Sequence, residues 1–442
     1  MTQSKFILNT ILTAALLASG TGLSWTSGAS LGAVQAAPTT AASTKNNAAE
    51  SVSVPLLKPK WQVQTDGLGL YDTQAPVANG LVYYSASDTL IAADLDTGKV
   101  KWSYKYGSHP EVVTANSVFF IDSSGYLVKI EAKTGKMLWK VQAAKTPIEI
   151  GAYATLLSDV LYVTNESGGI AAYHPDSGKK IWENSKLPMY AGGIVGQHDG
   201  VLVVFSTVDN LRTQFFGLNT ASGKKLWRLE GVYSTVSFNK GQLTLRQQAD
   251  PRAKAPVKGY LATLVTVNTT NGKITKQENV QPLSDISRLG NDYTALQGNE
   301  LYTVDGNLDS NEAVLTRIKR GQDNAAEIKS YAEYGQWLAG PINGTAYFYM
   351  NGQLTGYNLG SDKAVNFSIP ATPRLHLQIS GKAVFAEAED GYLYIMNAAT
   401  GKTLGRIKTG AYEYGKIFVK NGTALVQTDK RLLAVALPKE LQ

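Results

Sequence analysis

Apolar positions recur along this chain in short alternating runs, and each run ends at a Gly-Lys turn. The residues seven and five before the Gly are apolar in six places: Ile91/Ala93, Val128/Ile130, Ala171/Tyr173, Phe216/Leu218, Val265/Val267 and Tyr394/Met396. Alternation with period two predicts a strand. The residue eight before the Gly is apolar as well (Leu90, Leu127, Ile170, Phe215, Leu264, Leu393), so the opposite face of the strand is also apolar. A sheet that is apolar on both faces must be covered on both.

The turn itself is the clearest repeat. Asp96-Thr97-Gly98-Lys99-Val100-Lys101-Trp102 returns as Lys133 to Trp139, Asp176 to Trp182 and Ala221 to Trp227, with the Trp four residues after Gly98, Gly135, Gly178 or Gly223. Weaker copies at Gly272 and Gly401 keep the turn but carry Lys276 and Gly405 where the Trp would be. Gly supplies the positive φ of a tight hairpin turn. Trp102, Trp139, Trp182 and Trp227, with Trp61 of the lone early copy, hold one place in the repeat. That regularity predicts packing between sheets rather than a sugar-stacking or cofactor floor.

Repeats of about 40 residues, each a small antiparallel sheet stacked on its neighbours, describe an all-β single propeller of four-stranded blades. Lys60 to Gly67 reads as a final strand without the strands that should precede it, while Gly415 to Leu437 supplies early strands and stops before a final one. Joining the two would close the ring and remove exposed edges. Full units end near Trp102, Trp139, Trp182, Trp227, Lys276, Ile328, Phe367 and Ile407, so a literal count with the closing blade is nine. Gln247–Gly259 and Asn307–Glu312 read as polar insertions between strands.

Residues 1–36 read as a secretory signal: Lys5, an apolar segment from Phe6 to Ala18, then small residues to a cleavage site after Ala36. Residues 37–53, rich in Ala, Thr, Ser and Asn, read as a disordered linker, and residues 54–442 as the propeller. No later run approaches a membrane span. The 442 residues suit a radial array, in which each unit packs only on its neighbours.

The chain has no cysteine, which removes disulfides, thiolate zinc sites, haem attachment, Cys nucleophiles and a lipoprotein anchor together. His109, His174, His198 and His376 lack metal-site spacing, so no metal is expected. A net charge of +7 is partly the turn lysines and favours anionic partners only weakly. No clustered Arg stripe points to nucleic acid.

The repeat, a Leu-x-Ala-like strand, then Asp/Ala-x-Thr/Ser-Gly-Lys and Leu-Trp, resembles the pyrroloquinoline-quinone-like (PQQ-like) β-propeller repeat over roughly residues 58 to 438. Eight is the commoner size in that family, so the resemblance implies eight blades, with one weak unit within 277–370 misdrawn. Two classes share the repeat. Quinoprotein dehydrogenases hold the quinone and calcium on the axis, commonly with a disulfide that a cysteine-free chain cannot form, and no position here matches their calcium ligands or catalytic Asp. Asp122, Glu166, Asp209 and Asp390 sit in hairpin connections and read as turn acids. Non-catalytic propellers similar to the outer-membrane assembly factor BamB are the closer fit, apart from the missing lipid-anchor cysteine.

The resemblance therefore implies a secreted or envelope-located monomer without catalysis or cofactor. Its partner would be an envelope protein or a cell-wall polymer. The alternatives are a quinone- and calcium-dependent oxidoreductase and a polysaccharide-binding propeller. For the latter, Trp337 with Tyr331, Tyr334, Tyr412 and Tyr414 is the candidate aromatic surface, a core role being the other reading.

Overall fold

The computed structural model describes residues 53–67, 75–144, 151–165, 169–190, 192–208, 212–247, 260–282, 293–306, 313–320, 328–411 and 414–442. The signal, nearly all of the linker, most of the first insertion and all of the second lie outside these residues. The described strands form nine four-stranded antiparallel sheets. These are the blades of one β-propeller, numbered here in chain order: residues 77–105, 112–142, 152–184, 193–231, 233–282, 294–330, 336–367 and 373–408 make blades 1 to 8.

Blade 9 is composite. Phe418–Lys420, Thr423–Gln427 and Arg431–Ala436 supply three strands, and Trp61–Gln64 pairs antiparallel with Arg431–Ala436 as the fourth. The expectation of eight blades is thus corrected to nine. No unit within 277–370 is misdrawn: the two read there are each a four-stranded sheet, because apolar alternation survives in their strands even though their turns have lost the Gly-Lys-Trp pattern.

Packing follows from strands that are buried on both faces. Phe119, Ile121 and Leu127 of blade 2 meet Ala154, Leu161 and Val163 of blade 3, while Val118, Phe120 and Val128 from the same strands meet Tyr83, Leu90 and Ala92 of blade 1. Adjacent side chains on a strand point to opposite faces, so each sheet feeds two interfaces. Nine such clusters join consecutive blades, including blade 9 to blade 1 through Leu425, Leu432 and Ala434 with Val82, Tyr84 and Ala93.

Candidate functional site

The joints between consecutive blades repeat one arrangement over half of the ring. At five consecutive joints the fourth-strand Trp lies over the turn Gly of the following blade. A Cβ added to Gly98 would sit 2.6 Å from Trp61, and one on Gly135 would sit 2.7 Å from Trp102; Gly178, Gly223 and Gly272 meet Trp139, Trp182 and Trp227 in the same way. Each indole N–H donates to the carbonyl three residues before that Gly: Trp61 to Leu95 at 2.8 Å, Trp102 to Ala132 at 2.9 Å, Trp139 to Pro175 at 3.2 Å, Trp182 to Thr220 at 2.7 Å and Trp227 to Thr269 at 2.6 Å. The glycines hold φ between 66° and 75° and donate their own N–H to the carbonyl four residues back. Apolar ring burial and a satisfied polar edge act together at each joint.

Sequence reasoning missed the residue that shapes these turns. The side chain four positions before the Gly caps it: Asp94 accepts from the Thr97 N–H at 3.0 Å, Asn219 from Ala221 and Ser222, Asn268 from Thr270, and Asn397 from Ala399. An Asp or Asn at that place was the available signal.

The other joints depart from this pattern. Strand register puts Lys329 of blade 6 where the Trp stands elsewhere, paired across Arg317. Blade 7 builds the same Asn-capped turn from Asn358, but Asp362, at φ 53°, takes the Gly place. Lys329 Nζ donates to Asp362 Oδ1 at 2.9 Å, so an ion pair replaces ring-on-glycine contact. The hydrogen bond from Lys329 holds the Asp362 carboxyl below its ordinary range, and Lys329 is raised in turn. At the joint of blades 5 and 6, Lys276 and Arg320 both pair with Glu278. In blade 8 Gly405 vacates the Trp place and Leu57 packs against it, with residues 55–57 running parallel along Arg406.

The candidate chemistry read from the sequence disperses in three dimensions. Asp122 accepts from the Ser124 and Tyr126 N–H groups and pairs with Lys140 at 2.7 Å, and Asp390 caps Tyr392 and accepts from the Tyr394 hydroxyl. Glu166 and Asp209 lie outside the described residues. The aromatic surface proposed around Trp337 is overturned. Trp337, on the first strand of blade 7, and Tyr331, just after the last strand of blade 6, are both buried in the core between the two blades, the Trp337 ring 4.6 Å from Tyr293; Tyr334 packs partly buried against the same core. Tyr414 is buried between blades 8 and 9, and Tyr412 lies outside the described residues.

Two titratable groups stand just before the first strand of blade 2. Glu111 is only partly shielded at its surface but packed round by protein, and burial pushes its carboxyl up to about 8 against a hydrogen bond from Ala154. Burial likewise holds the His109 imidazole down at about 4. A quinone with calcium would need several convergent oxygen ligands. Among the described residues no group of three or more His, Asp or Glu side chains is placed to hold a metal ion.

A β-propeller of nine four-stranded blades is therefore the class of this chain. Its repeat resembles the PQQ-like β-propeller repeat, and the family described as "Outer membrane protein assembly factor BamB" matches residues 58–189. No curated protein matches. Among solved structures, BamB from Moraxella catarrhalis is similar at 12% identity, covering 86% of this chain and 100% of that one with a TM-score of 0.40. Quinohemoprotein alcohol dehydrogenase ADHIIG from Pseudomonas putida HK5 matches at 12% identity over 88% of this chain and 77% of that one, TM-score 0.43. A europium-containing methanol dehydrogenase matches at 13% identity over 86% and 93%, TM-score 0.45. Likeness at this level separates no function from another.

Proposed function

We propose that this protein is an exported, non-catalytic β-propeller that acts as a protein-binding or scaffolding module at the cell envelope. The observation that carries the reading is the unbroken series of Trp-on-Gly joints from blade 9 through blade 5. Joints of one geometry hold the intervening turns in fixed relation, and recognition by pre-positioned loops loses little entropy to ordering. The resemblance of residues 58–189 to an assembly factor supports the same reading, as does an N-terminus that reads as a secretory signal. We further infer that the pairing of Trp61–Gln64 with Arg431–Ala436 closes the ring, and that the protein works as a monomer presenting its loops to a larger envelope partner.

The rival reading is a quinone- and calcium-dependent oxidoreductase. Thermal unfolding with and without pyrroloquinoline quinone plus calcium separates the two, since a ligand that binds only the folded state raises the midpoint. An unchanged midpoint is expected. A rise that grows with quinone concentration would overturn the scaffold reading.

A further inference from the structure

At the joint of blades 2 and 3 a cleft of about 410 Å³ opens among the first-to-second and third-to-fourth strand turns. That volume is within the usual range of small-ligand sites, roughly 300–1,000 Å³. Its walls combine Thr114, Ser117, Lys129, Asp159, His174 and Asp176.

Lys129 is the anomaly that builds it. Strand register places Lys129 opposite Trp139, the place held by Ala92 opposite Trp102, Ala172 opposite Trp182, Gly217 opposite Trp227 and Ala434 opposite Trp61. Every other Trp joint thus uses a small residue there, and packing has no need of a cation. A buried ammonium is costly unless it is paired. The Lys129 side chain is 9% exposed, and its Nζ lies 3.1 Å from Asp176 Oδ1 and 5.5 Å from the centre of the Phe119 ring. Asp176, by contrast, is 99% exposed. Among the described residues this carboxylate is the one hydrogen-bond acceptor recorded for an ammonium that carries three N–H groups.

We propose that this cleft is a binding site for a neutral saccharide residue. One lysine against Asp159 and Asp176 leaves the walls net acidic, which disfavours phosphate and polyanions. Sugar hydroxyls both donate and accept, so adjacent hydroxyls satisfy the Lys129 ammonium and the Asp176 carboxylate without breaking their pair. The site is independent of the scaffold reading: a protein partner and a glycan can occupy different surfaces of one ring.

The test is saturation-transfer NMR on the purified chain with cellobiose, maltose and N,N′-diacetylchitobiose, and with glucose 1-phosphate as the anionic comparison. Transfer to at least one neutral disaccharide is expected. Lys129→Ala and Asp176→Asn should each weaken it by about tenfold or more, the scale of one charge-assisted hydrogen bond. Lys129→Ala places at this site the residue that blades 1, 3 and 9 already carry, and Lys129→Met keeps the chain length should Ala fail to fold. Lys101→Ala, on an exposed strand of blade 1, should leave binding unchanged. Absence of transfer to all three disaccharides, binding that persists in a folded Lys129 variant, or preference for glucose 1-phosphate would each overturn the proposal.

Discussion

Gly135 and Gly80 have nearly the same backbone, with φ of 75° and 72°, but different surroundings. A methyl group on Gly135 would run into the Trp102 ring, whereas nothing lies within 4 Å of one on Gly80. Gly80→Ala should therefore cost only the left-handed backbone penalty, about 1–2 kcal/mol. Gly135→Ala adds to that the displacement of a buried indole and loss of its hydrogen bond, and should cost about 2 kcal/mol more. Urea titration of the two variants measures the difference, and equal losses would mean that the Trp-on-Gly contact contributes nothing.

Glu111 provides a second residue-level outcome. Its folded carboxyl titrates near 8, above the ordinary value of 4.5, so between those limits the folded state holds a proton that the unfolded state has released. Stability must then fall as pH rises through that window. His109, held at about 4 against 6.5, works in the opposite sense, adding stability as pH rises from about 4 to 6.5. Above pH 6.5 the Glu111 effect stands alone. The melting temperature should drop from pH 6.5 to 8, by an amount corresponding to roughly 1 kcal/mol, and Glu111→Gln should abolish the drop. Neither group was legible in the sequence, since an isolated His and Glu before a strand carry no periodicity. Their environment is made by neighbouring blades.

At the scale of the blade, two solutions to one joint coexist in this ring. The Trp joints bury a large ring, and Trp102→Ala should cost about 3–5 kcal/mol. The joint of blades 6 and 7 uses Lys329 and Asp362, whose carboxylate side chain is 64% exposed. Exposed ion pairs contribute little and are screened by salt. Lys329→Ala should therefore be milder than Trp102→Ala, and its effect should shrink in high salt while that of Trp102→Ala does not. Parallel denaturation series at low and high salt check this, and a salt-independent Lys329 effect would refute it. The strong units were legible because Gly, Lys and Trp keep fixed spacing. Blade 7 was obscured because Asp362 replaces the turn Gly, although Asn358 and Lys363 still mark the turn. In blade 8 the partner of Gly405 is Leu57, almost 350 residues away, which no local pattern reveals.

For the whole molecule, the composite blade is the decisive element. Trp61–Gln64 completes the sheet of Arg431–Ala436, and the Trp61 indole reaches Leu95 of blade 1. Removing residues 54–64 should expose the Arg431–Ala436 edge, leave Gly98 without its ring and uncover Gly405. An unpaired apolar edge recruits other chains. The truncated protein is expected to elute as higher oligomers on size-exclusion chromatography with a lowered melting temperature. A truncated chain that stays monomeric and melts like the full one would show that the joint is dispensable.

The sequence by itself determined the fold class, the four-stranded unit, the turn chemistry and the complementary ends, because strand alternation and glycine turns act over a few residues. The tertiary structure decided the number of blades, the burial of the Trp337 and Tyr331 aromatics, the exchange of Trp and Gly for Lys329 and Asp362, and the meeting of Lys129 with Asp176. Each of these depends on which side chains adjacent sheets bring face to face. That pairing is set by strand register and ring packing between segments some tens of residues apart, a distance over which local propensity carries no information.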